Sequence, residues 1–148
     1  VTVDRTETLV ALWRAKGGRV TGPRRAILEA LANHGGHPTA EELTRAVQQR
    51  QPDVHQSTVY RFLDELERLN VVDHVHLGHG PAVYHFVDDT HHHLVCEACG
   101  EVTEAPAAAF AALRKRLQTD FAFEMDPRHF AVLGRCAACA AASGPPTD

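Results

Sequence analysis

Along residues 1–70 the apolar positions recur with helical spacing, and beyond them the pattern shifts to short alternating runs. Leu9, Val10, Leu12 and Trp13 make one side of a helix over Glu7 to Ala15, closed by Gly17-Gly18. Thr21-Gly22-Pro23 opens a second helix with proline in its first turn, carrying Ile27, Leu28 and Leu31 inward and stopping between Asn33 and Gly36. Pro38-Thr39 opens a third. Thr39 followed three residues later by Glu42 reads as a capping box, with Leu43 and Val47 buried and an end near Gln51-Pro52.

The fourth helix, Ser57 to Leu69, buries Val59, Phe62, Leu63, Leu66 and Leu69. At 100° per residue, Ser57, Arg61 and Asp64 fall on the opposite side, flanked by Thr58 and Tyr60. Such polar types near a helix N-terminus suit phosphates and base edges, so the arrangement reads as helix-turn-helix. A plain helical core with a solvated outer face is the rival reading. Val71 to Leu77 and Pro81 to Val87 read as strands around Gly78-His79-Gly80, and helices followed by that hairpin make a winged helix. The remainder predicts strands at His91 to Cys96, Glu101 to Thr103 and His129 to Leu133, with a helix from Pro106 to Leu117. The expected fold class is therefore α+β: a winged-helix domain over residues 1–87, a hinge at 88–90, a small α/β domain over 91–140, and a disordered tail at 141–148.

Charge sharpens the picture. The net charge is −4, yet residues 1–70 hold ten Lys/Arg against nine Asp/Glu, while residues 71–148 hold five against ten. Arg14, Lys16, Arg19, Arg24 and Arg25 form a block with no acid between them, a surface suited to phosphate, whereas the acidic half suits cations. There is no apolar run of membrane-spanning length and no basic-then-apolar start, so the expectation is a cytoplasmic protein without membrane contact.

Two kinds of metal chemistry stand out. Cys96, Cys99, Cys136 and Cys139 form two Cys-x-x-Cys pairs, enough thiolates for a closed tetrahedral zinc site that stabilises the fold; a redox dithiol is the alternative. Between Tyr84 and Glu104 lie four histidines and five carboxylates as well. In a strand His91 and His93 share one face and His92 takes the other. His74 and His76 likewise share a face, with His79 just beyond.

HPTAEEL, STVYRFLDELERLNVVD, HHHLVCEACG and GRCAAC, in that order over Thr21 to Cys139, resemble the ferric uptake regulator family. The resemblance implies a winged-helix DNA-binding domain, a hinge and an α/β dimerisation domain, acting as a homodimer that binds palindromic double-stranded operator DNA when loaded with metal. It places a regulatory hinge site on His37, His85, His91, His93 and Glu104. At His85 the iron and peroxide sensors usually carry a carboxylate, which Asp88 or Asp89 could supply here. Glu104 stands where the peroxide-sensing branch favours Asp. VDHVHLGHG with RHFAVLGRC is similar to the nickel-uptake regulator branch, whose nickel site corresponds to His74, His76 and His129. The DNA contacts implied are Ser57, Thr58, Tyr60 and Arg61, with Arg24 and Lys16 or Arg19 on phosphate or in the minor groove.

These residues predict a metal-dependent repressor with structural Zn2+ and a regulatory Ni2+, Fe2+, Zn2+ or Mn2+, nickel being the first choice. Iron-, zinc- or peroxide-responsive regulation is the alternative. A zinc hydrolase with Glu104 as general base is a remote one, lacking any His-Glu-x-x-His run, and metal storage is a third.

Overall fold

A computed structural model describes residues 4–87, 91–126 and 130–143. The chain divides into two compact units, Val1–His74 with Ala82–Val87, and Val75–Pro81 with Asp88–Asp148. The hinge expected at 88–90 lies outside the described residues.

The first unit is built on four helices, α1 (Arg5–Ala15), α2 (Gly22–Asn33), α3 (Ala40–Gln48) and α4 (Gln56–Arg68). The first three start where local chemistry satisfies the first amides or presets the backbone. Asp4 accepts from the Thr6 amide at 3.0 Å, Pro23 lies in the first turn of α2, and the Thr39/Glu42 capping box forms in both directions. Leu9, Val10 and Trp13 turn inward from α1, while Leu12 stays 40% exposed. The core gathers Ile27, Leu28, Leu43, Val59, Leu63 and Leu66, all 0% exposed. Trp13 packs edge-to-face on Phe62 with ring centroids 4.9 Å apart. Its indole N–H donates to the Arg19 carbonyl at 3.2 Å. Gly18 lies so close to that indole that a Cβ there would fall 2.0 Å from a ring carbon.

Helix α4 ends in a Schellman turn. Asn70 is left-handed (φ 56), the Val71 amide donates to the Leu66 carbonyl at 2.9 Å and the Asn70 amide to the Glu67 carbonyl at 2.8 Å. The reversal leads into β1 (Val72–His76), which forms a two-stranded sheet with β2 (Ala82–Phe86). β2 is in turn tied to the α2–α3 connection by a Thr39–Val83 bridge and by the Tyr84 amide donating to the Pro38 carbonyl at 2.8 Å. Four helices and a hairpin give the winged helix expected.

The second unit centres on a three-stranded sheet of order β4-β3-β5, with β3 (His91–Cys96) in the middle. β4 (Val102–Pro106) runs antiparallel to it and β5 (Ala131–Gly134) parallel. Two expectations change here. β4 continues to Pro106, opposite His91, because the ladder with β3 holds residues 104–106 extended. The helix expected from Pro106 therefore begins as a 3-10 turn at Ala107–Phe110 and becomes α5 only over Ala111–Phe121. The chain after Cys136 forms α6 (Ala137–Ser143), so residues 141–143 are helical rather than part of a disordered tail, and 144–148 lie outside the described residues. Small, strong helix formers explain α6. Helix α5 has no buried residue, and Leu113, Phe121 and Phe123 are 43%, 73% and 58% exposed. Among the described residues, no helix is long and apolar enough to cross a membrane.

Candidate metal centres and nucleic-acid interface

The parallel pairing of β3 with β5 decides where the cysteines meet. Cys96 ends β3 opposite Gly134, so the chain leaves both strands at the same edge of the sheet. Cys99 follows on the turn after β3, Cys136 two residues beyond β5, and Cys139 in the first turn of α6. The Glu97 amide donates to the Gly134 carbonyl and the Gly100 amide to the Cys96 carbonyl, each at 2.8 Å. Gly100 takes φ +77, which a side chain would strain. One sulfur from each cysteine lies within 4.8 Å of the others, and the Cys99 and Cys136 sulfurs are 3.8 Å apart. Backbone amides, first that of Cys136 and then those of Cys99 and Ala98, pull the Cys96 thiol down to about 6. Cys139 is driven up to about 12 by the sulfurs of Cys136, Cys99 and Cys96. One thiolate is thus held readily, and the next is opposed until a cation offsets the charge. Four converging sulfurs with that electrostatic demand fit a closed tetrahedral zinc.

Period-two alternation separates the three histidines of β3. His91 and His93 point the same way, their Nε2 atoms 3.1 Å apart. Glu104 is directly opposite His93 in the β3–β4 ladder, with a carboxylate oxygen 3.7 Å from His91 Nε2. His92 faces away, 1% exposed, edge-on to Phe110 and Phe130 at 4.5 and 5.4 Å. Burial first, then Arg114 and His91, push its pKa down, so it packs as a neutral ring. His91, His93 and Glu104 therefore make one donor group in the second unit. In the first unit, the Thr39–Val83 bridge brings His37 beside His85, ring centroids 5.5 Å apart. Asp88 and Asp89 lie outside the described residues.

His74 and His76 differ in setting. His76 is exposed, its Nδ1 3.5 Å from the Gly80 carbonyl. His74 is half-buried against Glu67, and Glu67, Asp73 and His74 form the group of possible ligands around it. Sequence patterning singled out neither carboxylate: Glu67 is seven residues away on a helix, and only the Schellman turn brings it alongside. His129 lies outside the described residues.

On α4, Val59, Phe62, Leu63 and Leu66 are buried and Ser57, Thr58, Tyr60 and Arg61 are exposed, so the helix offers the polar face read from sequence. Its N-cap, His55, makes no side-chain cap. Lys16 and Arg19 are exposed. Arg24 is a different case. Its guanidinium donates to Glu65 at 2.7 Å and to the Arg19 carbonyl at 3.1 Å, and lies 5.3 Å from the ring centroids of both Trp13 and Phe62. The geometry gives it a role in packing α2 onto α4.

A winged helix followed by a small sheet domain with thiolate and imidazole clusters defines a metal-responsive regulator of transcription. Residues 15–129 match the Ferric uptake regulator family, and the chain belongs to that family. It is 31% identical over 134 residues to the ferric uptake regulation protein of Neisseria meningitidis, covering 89% of this chain and 93% of that protein. The peroxide-responsive repressor PerR of Staphylococcus epidermidis is 26% identical over 133 residues, 90% of this chain and 89% of that one. Among solved structures, the Pseudomonas aeruginosa ferric uptake regulator determined with manganese superposes with a TM-score of 0.69 at 30% identity, covering 92% of this chain and 99% of the other. The family consists of transcription regulators rather than enzymes, which removes the hydrolase reading.

Proposed function

We propose that this chain is a cytoplasmic, nickel-responsive repressor that binds palindromic operator DNA as a metal-loaded homodimer. The observation that carries the metal switch is the convergence of His91, His93 and Glu104 in the second unit, with His37 and His85 adjacent in the first. A cation held by His91, His93 and Glu104 would be the regulatory ion, favouring the DNA-binding form and shifting the population toward it. Imidazole-dominated donor sets suit nickel, and His74, His76 and His129 would add a second such set. The cysteine group would hold Zn2+ as a structural ion. The exposed Leu113, Phe121 and Phe123 supply an apolar surface for the second subunit. Ser57, Thr58, Tyr60 and Arg61 would meet base edges and phosphates, with Lys16 and Arg19 on the backbone.

The iron-, zinc- or peroxide-responsive alternative is favoured by the names of the relatives, an iron-uptake regulator and a peroxide-responsive repressor. Operator binding titrated with Ni2+, Fe2+, Zn2+ and Mn2+ at controlled free concentrations decides between them. Nickel should activate at the lowest free concentration relative to its cellular level, and His91→Ala with His93→Ala should abolish activation. Activation by iron or zinc alone sinks the nickel choice, and equal affinity of loaded and metal-free protein for the duplex sinks the switch.

A further inference from the structure

The carboxyl end of α4 carries a charge arrangement that the sites above do not use. Glu67 sits in the last turn of the helix, where the macrodipole disfavours negative charge and welcomes a cation. The Schellman turn at Asn70 folds β1 back against that end. His74 Nδ1 contacts a Glu67 carboxylate oxygen, and one donor atom from each of Glu67, Asp73 and His74 lies within 4.8 Å of the others. Asp73 is only 6% exposed, and its Oδ1 accepts from the His74 amide at 3.0 Å. The Tyr84 ring stands beside them, its centroid 6.1 Å from that of His74. Two carboxylates and one imidazole thus converge at the negative end of a helix, one carboxylate withdrawn from water, where a cation is favoured.

We propose that Glu67, Asp73 and His74 form a separate divalent transition-metal site that fastens the end of α4 to β1. One imidazole nitrogen and two carboxylate oxygens suit zinc, cobalt or manganese, with water completing the sphere. All three residues belong to the first unit, so the site uses neither the cysteines nor His91, His93 and Glu104. It shares His74 with the nickel-type group expected from the sequence but takes carboxylates in place of His76 and His129. A cation there ties the wing strand to the helix that carries Tyr60 and Arg61, and acts on how firmly the two are held together.

The test uses the full chain with its cysteine zinc retained and with His91→Ala and His93→Ala introduced, so that the regulatory group is disabled. Cobalt(II) is titrated alone, followed by visible absorption and equilibrium dialysis. One equivalent should bind, without thiolate charge-transfer bands. Adding Glu67→Gln or His74→Ala should weaken it roughly tenfold or more, since even outer-shell losses cost ten- to a hundredfold. His76→Ala and His129→Ala should leave it unchanged. In the same His91→Ala/His93→Ala protein, paramagnetic shifts should centre on His74 and Tyr84, a readout that needs no variant at Glu67, Asp73 or His74 to fold. No cobalt beyond the cysteine site, undiminished affinity in Glu67→Gln, or dependence on His76 and His129 overturns the proposal. The operator titration tests the His91, His93 and Glu104 group and is untouched by these results, whereas dependence on His76 and His129 would overturn this proposal in favour of the nickel-type set.

Discussion

Arg24→Ala separates a packing arginine from a phosphate-binding one. The Arg24–Glu65 ion pair is 28% and 30% exposed at its two side chains, so it belongs near the surface scale of up to about 1 kcal/mol. Stacking of the guanidinium over Trp13 and Phe62 adds roughly 0.5–1 kcal/mol. The loss should therefore be about 1–2 kcal/mol in all. For a domain the size of the first unit, each kcal/mol moves the thermal midpoint by about 4–8 °C. Calorimetry on the parent, Arg24→Ala, Arg24→Lys and Glu65→Gln should show Ala and Gln destabilised together. Lys should fall between, because it keeps the charge and loses the planar stack. Operator affinity measured against salt supplies the second axis. The salt slope of Arg24→Ala should match the parent's, whereas loss of a true phosphate contact lowers it by about 1. An unchanged midpoint with a reduced slope would refute the packing role.

Gly18→Ala should destabilise by about 1–3 kcal/mol or more, since its Cβ would overlap the Trp13 ring and force the indole from its place against Phe62; chemical denaturation measures this. Thr39→Ala removes the capping box and should cost about 0.5–2 kcal/mol. Glu42 is held below its ordinary 4.5, first by the Thr39 amide. Its stabilisation is therefore full above that value and lost as pH falls through the lower folded pKa, so the stability gap between parent and Glu42→Gln should close in acid. Cys139→Ser should release about one zinc per chain and unfold the second unit, because structural zinc contributes roughly 10–16 kcal/mol at neutral pH. Metal analysis and circular dichroism check both outcomes, and retained zinc with unchanged spectra would exclude the four-sulfur site.

The helices of the first unit are legible in the chain because their causes are local. The capping box at Thr39, the proline opening α2 and the 3.6-residue recurrence through α4 all act within a few residues. Strand β3 is equally plain, and alternation alone assigns His91 and His93 to one face and His92 to the other. Local signals mislead where a partner strand overrides them. Residues 104–106 read as the approach to a helix until pairing with β3 extends them. Non-local matters needed the fold itself: the parallel β3–β5 register that gathers four sulfurs at one edge, the diversion of Arg24 from solvent onto Glu65, and the return of β1 that sets His74 against Glu67. Cys99 and Cys136 stand 37 residues apart and Arg24 and Glu65 41, so their meeting depends on how distant elements pack. Glu67 and His74 meet only because the turn at Asn70 reverses the chain between them.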